Sequence, residues 1–196
     1  MMKILLTFLV LLFSSFVFAD DVSDFQIEGM SIGDSLLDYF SKEQIETKKK
    51  NGFVYPNKDF YSATFKSSKF ENYDGVQVHL KANDKKYIIH SVGGKILYPN
   101  NISKCYQDMD SIISEIKLMF VNPEIINVGT SKHSIDKTGK STTRIIFIDL
   151  SSSATVESAI VVECTDWSKE MSHIDQLTIS IDSKEFDNWI NNVAYN

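Results

Sequence analysis

Residues 102–120, ISKCYQDMDSIISEIKLMF, decide the fold class of this chain. Their apolar side chains recur at i, i+3, i+4 and i+7 spacing, which is the period of one face of an α-helix. Pro123 ends the pattern, because proline cannot continue a helix. A helix with one apolar face must pack against another apolar surface, and strand patterns on both sides of it supply that surface. The sequence therefore predicts an α+β protein.

Three strands are predicted after this helix. The first covers 144–150, in which residues 145–148 form a continuous apolar run, and this run indicates a strand buried on both faces. A second strand covers 159–164, and in a third, 176–182, apolar residues alternate with polar ones. Ser183 caps a final helix whose apolar stripe is Phe186, Trp189, Ile190 and Val193. Residues 101–196 are thus predicted to form an α-βββ-α module in which the polar stretch 129–143 is a loop.

The preceding part, residues 20–100, predicts two short helices followed by three strands. Ser31 and Ser41 are candidate N-caps, and Gln44 completes a capping box with Ser41. Strands are predicted over 60–66, 76–82 and 86–92, and Gly93-Gly94 marks the end of the third. The predicted architecture is a two-layer, helix-on-antiparallel-sheet fold of two modules, αα-βββ then α-βββ-α. Whether the modules share one core stays open.

The first nineteen residues have the order of a secretory signal peptide. Lys3 supplies the positive charge, residues 4–13 form the apolar segment, and Val17 and Ala19 stand at the −3 and −1 positions. We predict cleavage between Ala19 and Asp20. The apolar segment is shorter than the roughly 20 residues of a spanning helix. We therefore expect a periplasmic or secreted protein without a membrane span after cleavage.

The two cysteines of the chain, Cys105 and Cys164, both lie in the exported part. An even number of cysteines in an oxidising compartment indicates a disulfide. Cys105 lies on the apolar stripe of the long helix and Cys164 is in phase with Ile160 and Val162, so the two can meet where helix and sheet pack. A redox-active pair is the alternative, but the CxxC spacing is absent.

Charge excludes one class of partner. The formal net charge is −6, whereas nucleic-acid-binding proteins carry clustered lysine and arginine. The lysine runs at 48–50 and 85–86 fall in predicted loops, where solvation explains them. We expect no nucleic-acid partner.

Candidate chemistry is sparse. His79 and His90 are predicted as diagonal neighbours on one face of a hairpin, within reach of a shared metal ion, but a zinc site needs three or four ligands and no further ligand is in place. We therefore predict no metal, no cofactor and no catalytic residue. Residues 134–141 resemble a phosphate-binding loop, but the leading glycine is replaced by Ser134 and no helix follows, so we interpret them as a hairpin turn or loop. His133 and His173 are predicted to be solvated.

Residues 29–98 resemble the SmpA/OmlA family of small outer-membrane assembly lipoproteins. The shared features are Gly29-Met30-Ser31, two short helices and then the three strands 60–66, 76–82 and 86–92. The resemblance implies a two-layer α+β fold used for protein–protein contact in the bacterial envelope, without enzyme activity.

Two hypotheses about function follow. The first is a non-enzymatic envelope protein that binds a protein or a small ligand through its sheet or through a groove between the modules. The second is an exported hydrolase whose site involves His79 or His90 with a nearby acid. A concave pocket with convergent polar groups and shifted pKa values would favour the hydrolase.

Overall fold

The computed structural model describes residues 25–120, 123–149 and 158–195, which form an α+β structure. The strands are β1 (Phe60–Phe65), β2 (Gly75–Lys81), β3 (Ile89–Leu97), β4 (Glu124–Lys132), β5 (Thr142–Asp149), β6 (Ser158–Asp166) and β7 (Gln176–Ser183). The α-helices are α1 (Lys42–Lys50), α2 (Ile102–Met119) and α3 (Lys184–Asn192). The predicted cleavage site at Ala19 and Asp20 lies outside the described residues and stays a prediction.

All seven strands form one antiparallel sheet in the order β1-β2-β3-β7-β6-β5-β4. Strand β7 lies in the middle of the sheet, between β6 and β3, and pairs with both. Ser91 lies opposite Asp182 in this pairing, and Leu97 lies opposite Gln176. Strands from both predicted modules are therefore hydrogen-bonded to each other, while the boundary at residue 100 itself stays a prediction.

One face of the sheet is apolar and buried. The main hydrophobic cluster on it contains residues from both predicted modules, among them Val78 of β2, Ile148 of β5 and Ile181 of β7. Helix α2 contacts β6 and β7 and adds Met109 and Ile113 to this cluster. Removing this apolar surface from water is the main force that holds the fold together.

The predicted disulfide between Cys105 and Cys164 is confirmed, and it ties α2 to β6. The Cα atoms are 6.1 Å apart and both residues are fully buried. Closing a chain segment of 59 residues stabilises the fold by about 4 kcal/mol in the chain-entropy account.

Two strand predictions are wrong at particular places. The C-terminal part has four strands instead of the predicted three, since the prediction missed β4. This strand lies at the edge of the sheet, and its exposed side chains show no alternation of apolar and polar residues. Strand β3 runs through Gly93-Gly94 to Leu97 instead of ending there. Gly94 continues the strand because it pairs with Val76 of β2 and Ile179 of β7. The position requires glycine because a Cβ atom there would lie 2.3 Å from the ring of Tyr73.

The predicted helix after Ser31 is also wrong. Residues 31–35 form a turn, in which the backbone amide of Ser31 donates to Asp34, and only a short 3-10 helix, Leu36–Asp38, follows. The second helix is confirmed as α1, with the capping box of Ser41 and Gln44 in place. The final helix is confirmed as α3, capped by Ser183.

Residues 134–141 form the turn between the antiparallel strands β4 and β5, which confirms that they are not a phosphate-binding loop leading into a helix. Among the described residues, none of the helices combines the length and apolar composition that crossing a bilayer requires.

Candidate functional site

The face of the sheet opposite the main hydrophobic cluster carries a patch of polar side chains on β2, β3 and β7. The strand register places Gly93 of β3 at the centre of this patch, between Gln77 of β2 and Ser180 of β7. The next row in one direction is His79, Ser91 and Asp182, and the next row in the other direction contains Lys95 and Thr178. We call these seven polar side chains and Gly93 the polar grid.

Glycine at the centre of the polar grid leaves a hollow in the floor. A Cβ atom on Gly93 would lie 3.0 Å from the Cβ atom of Ser180 and 3.4 Å from a methyl group of Thr178. The hollow belongs to an open groove of about 530 Å³ that runs over this face of the sheet. That volume is within the range of small-molecule sites, which is about 300–1,000 Å³.

Aromatic side chains form one wall of the groove. The wall consists of Phe53 and Tyr55 from the segment before β1, Phe186 of α3, and Tyr195. The ring of Tyr55 lies 4.8 Å from that of Phe53 and 5.8 Å from that of Tyr195. Trp189 of α3 packs edge-on against Tyr55 at 4.9 Å, and this contact fixes the wall in place.

The opposite wall is the β4–β5 turn together with Trp167, which follows β6. Buried Asp136 organises this turn. Its carboxylate accepts five hydrogen bonds: two from Thr138, two from Ser141 and one from Ser168. The bonds from the Ser141 and Thr138 side chains hold the pKa of Asp136 far below its ordinary value. The bond from Ser168 ties the turn to the segment that carries Trp167.

A chain of hydrogen bonds runs across one end of the polar grid. Tyr55 Oη lies 3.0 Å from His79 Nε2, and His79 Nδ1 lies 3.1 Å from Ser91 Oγ. Ser91 in turn is hydrogen-bonded to Asp182. All three bonds are satisfied when Tyr55 donates to a neutral imidazole, His79 Nδ1–H donates to Ser91, and Ser91 donates to the carboxylate. Burial lowers the pKa of His79 to about 3, which agrees with a neutral ring.

Asp182 is the buried acid at the end of this chain. Burial raises its pKa to about 6, although hydrogen bonds from Ser91 and Ser180 favour the ionised form. Its Oδ1 atom is buried and has no hydrogen-bond partner among the described residues. Thr143 Oγ1, also in the groove, is buried and unpartnered in the same part of the chain. A protein normally satisfies such atoms. Of the three buried side-chain atoms without a partner in the described ranges, two lie in this groove and the third, Tyr61 Oη, lies in the main hydrophobic cluster.

Beyond the polar grid the groove floor carries an apolar patch. Val161 of β6 lies opposite Ser180 on one side and Phe147 of β5 on the other, and Ile145 is the next residue of β5 on this face. All three are partly exposed and line the groove. Glu163 of β6 and Thr143 of β5 face the same groove. The floor is therefore amphipathic, with an apolar patch of three residues bordered by polar side chains.

The two histidines singled out from the sequence have different surroundings. His79 lies in the groove and stacks on Phe186 at 4.4 Å. The ring of His90 lies 5.3 Å from that of Phe60, and its Nδ1 atom is 3.6 Å from Glu185. A register shift in the β2–β3 pairing separates them, since His79 is opposite Ser91 rather than in the predicted register. In the ranges that the structure describes, no group of three or more His, Cys, Asp or Glu side chains could hold a metal ion.

His133 was predicted to be solvated, but its ring is partly enclosed by neighbouring rings. Its ring packs 4.3 Å from that of Trp167, and His173 contacts the other side of this cluster at 4.7 Å. Burial lowers the pKa of His133.

Sequence reasoning missed Lys95 and did not single out Asp182. Because Gly93-Gly94 was interpreted as the end of a strand, Lys95 was placed outside the sheet. The alternation of residues 176–182 placed Asp182 on a polar face. It did not predict that Asp182 is buried, because this burial depends on the pairing of β3 with β7. Tyr55, which no sequence pattern singled out, is buried and contributes to the aromatic wall.

No known protein family, no characterised protein and no solved structure matches this chain.

Proposed function

We propose that this protein is an exported, non-enzymatic binding protein of the bacterial envelope, which holds a ligand in the groove over the polar grid. In this proposal α1 and α2 lie on the apolar face of the shared sheet, whereas α3 forms part of the groove wall on the other face. The SmpA/OmlA-like order of elements in residues 29–98 supports a role in protein or ligand contact.

The observation that carries the proposal is the amphipathic floor with its unmet hydrogen-bonding capacity. Asp182 Oδ1 and Thr143 Oγ1 have no partner among the described residues, although both are buried. Each such atom costs about 1–3 kcal/mol. Two such atoms in a groove of about 530 Å³ are typical of a ligand site, because sites often give up stability for function.

Export is supported by one structural feature in addition to the signal-like residues 1–19. The Cys105–Cys164 disulfide is compatible with an oxidising compartment.

The hydrolase hypothesis has less support, even though shifted pKa values do converge in the groove. A serine nucleophile needs a histidine with a free ring nitrogen to take its proton. Both ring nitrogens of His79 already have partners, Tyr55 and Ser91. Ser91 is 2% exposed and stands between His79 and Asp182, so the acid does not orient the histidine.

A site-specific photo-crosslinker tests the proposed function. A benzoylphenylalanine introduced at Ile145, in the groove, is expected to form adducts when cells of the source organism are irradiated. The same group at Leu118, which is 80% exposed on α2, is the matched control and is expected to form none of these adducts. Intact mass spectrometry reveals whether the adduct is a protein or a small molecule.

An adduct yield at Ile145 no higher than at Leu118 would contradict the proposal. Detection of the protein only in the cytoplasmic fraction, with residues 1–19 retained, would contradict its exported location.

A further inference from the structure

We propose that the groove takes a small amphipathic carboxylic acid, whose carboxylate binds the Lys95 ammonium and whose apolar body lies over Val161, Ile145 and Phe147. This inference rests on the proposed function, because it names the class of ligand for the same groove.

Lys95 provides the charge that a carboxylate requires. Its side chain lines the floor of the groove and is largely enclosed. Its ammonium forms neither a hydrogen bond nor an ion pair with any residue in the described ranges, and burial lowers the pKa of Lys95. A partly desolvated cation without a direct ion pair is unfavourable, and an incoming anion relieves this cost.

The acid whose charge acts on Lys95 is Glu163 of β6, and it partly offsets the effect of burial on the pKa of Lys95. Glu163 lies in the same row of the sheet, with Thr178 between the two. Its carboxylate accepts a hydrogen bond of 2.7 Å from buried Thr165, farther along β6. Because Lys95 makes no direct ion pair in the described ranges, its ammonium can still donate hydrogen bonds to an anion from outside.

Two polar neighbours complete the head-group site. Gln77 and Thr178 flank Lys95 and Gly93, and neither side chain makes a hydrogen bond within the described part of the chain. An amide and a hydroxyl can each donate to a carboxylate oxygen. The hollow at Gly93 leaves room for that carboxylate between them, since a Cβ atom there would crowd Ser180 and Thr178.

The apolar part of the floor sets the size of the ligand body. Phe147 on β5 is three strands away from Lys95 on β3, which corresponds to about 14 Å at the usual strand spacing. A lysine side chain spans part of that distance. A chain of about eight carbon atoms covers the rest, so octanoate is a suitable probe.

The binding experiment compares three probes of equal length: sodium octanoate, 1-octanol and octylamine, each titrated by calorimetry into the purified protein. Wild type is expected to bind octanoate with one-to-one stoichiometry and at least tenfold more tightly than 1-octanol or octylamine. A hydrogen bond to a charged group contributes about 1.5–3 kcal/mol, which corresponds to tenfold or more.

Variants assign the effect to the two halves of the site. K95Q is expected to lose at least tenfold in affinity for octanoate and less than twofold for 1-octanol, and K95R is expected to keep the preference for octanoate. F147S is expected to weaken both probes. K85Q, at an exposed lysine in the β2–β3 turn, is the matched control and is expected to bind as wild type does. Circular dichroism and the melting temperature verify that each variant is folded.

Equal affinity of wild type for octanoate and 1-octanol, or an unchanged octanoate affinity in K95Q, would overturn the inference. Absence of binding by all three probes would also overturn it. If the crosslinker at Ile145 still forms adducts in that case, the proposed function stands and only the ligand class is wrong. If no probe binds and the crosslinker at Ile145 forms no adducts, the proposed function and the proposed ligand class are both wrong.

Discussion

Asp136 and Asp182 are buried carboxylates on opposite sides of the groove, and their surroundings differ in almost every respect. Asp136 accepts five hydrogen bonds, and its pKa is held far below the ordinary value. Asp182 has one oxygen without a partner in the described ranges, and burial raises its pKa to about 6.

The difference shows what each region is for. In the β4–β5 turn, hydrogen bonds from the chain itself meet the full demand of the carboxylate, so this charge stabilises the fold. In the polar grid the demand of Asp182 is left unmet, so its charge costs stability. Thr143 and Ser141 repeat the contrast with hydroxyl groups, since only Ser141 has its bonds satisfied.

The largest effect is expected from Asp136→Asn. The amide NH₂ group would face the hydrogen-bond donors of the β4–β5 turn in place of an acceptor, so several bonds are lost together. We expect the greatest loss of unfolding free energy in this series, measured by urea denaturation at pH 7. Asp38→Asn, at an exposed carboxylate, is the control and should change little. A loss no greater than that of the control would contradict the stabilising role of the Asp136 carboxylate.

The same variant is expected to change the response to acid. The folded-state pKa of Asp136 is lowered, so its contribution is complete above the pKa of the unfolded chain and is lost as the pH falls toward the folded value. Asp136→Asn should therefore lose less stability than wild type between about pH 4 and pH 2.

Asp182→Asn is expected to change the stability of the protein in the opposite direction, that is, to stabilise it at neutral pH. The folded-state pKa is raised from 3.8 to about 6, so stability falls as the pH rises from about 4 to 6, and the penalty is complete above that range. Asparagine removes the charge, which should stabilise the protein by up to about 3 kcal/mol at pH 7. Urea denaturation at a series of pH values should show a flatter profile than wild type over this window. Destabilisation at pH 7 would mean that the buried charge is compensated after all.

Ser141→Ala is expected to destabilise the protein by about 1–3 kcal/mol. The Ser141 hydroxyl donates to Asp136 and accepts from the backbone amide of Ser168, and both partners would be left buried. Thermal unfolding monitored by circular dichroism measures the loss. If the variant melts as wild type does, the turn is not held by this network.

The smallest effect is expected from Thr143→Val, only two residues away. Valine keeps the shape of threonine and removes a hydroxyl that has no partner among the described residues, so we expect no loss and a gain of up to about 1 kcal/mol. The same melting experiment provides the value, and Ser141→Ala serves as its matched reference. A loss as large as that of Ser141→Ala would show that the Thr143 hydroxyl is satisfied.

Local patterns in the sequence predicted much of the fold. The apolar period of residues 102–120 predicted α2, the capping residues Ser41 and Ser183 predicted α1 and α3, and the phase of Cys105 and Cys164 predicted the disulfide. These features depend on residues close in sequence or on one shared packing face. Strand β4 escaped prediction because an edge strand that buries little carries no period.

The candidate site was less accessible to prediction, because it depends on pairings between distant parts of the chain. His79 was recognised as a sheet residue, but its partners Tyr55 and Ser91 follow from the position of α3 and from the register shift in β2–β3. The burial of Asp182 and the exposure of Lys95 to the groove both require β7 to lie beside β3. Sequence alone gives no signal for that neighbour, since a helix and three strands separate the two.

Carbon-13 NMR of the carboxyl groups, recorded as a function of pH on the aspartate-labelled protein and assigned with Asp136→Asn and Asp182→Asn, tests the central contrast most directly. We expect the Asp182 signal to titrate near pH 6. We expect the Asp136 signal to remain at the chemical shift of an ionised carboxylate down to the lowest pH at which the protein is folded. Titration of both signals near pH 4 would contradict this expectation, because the groove would then hold an acid no more perturbed than one on the surface.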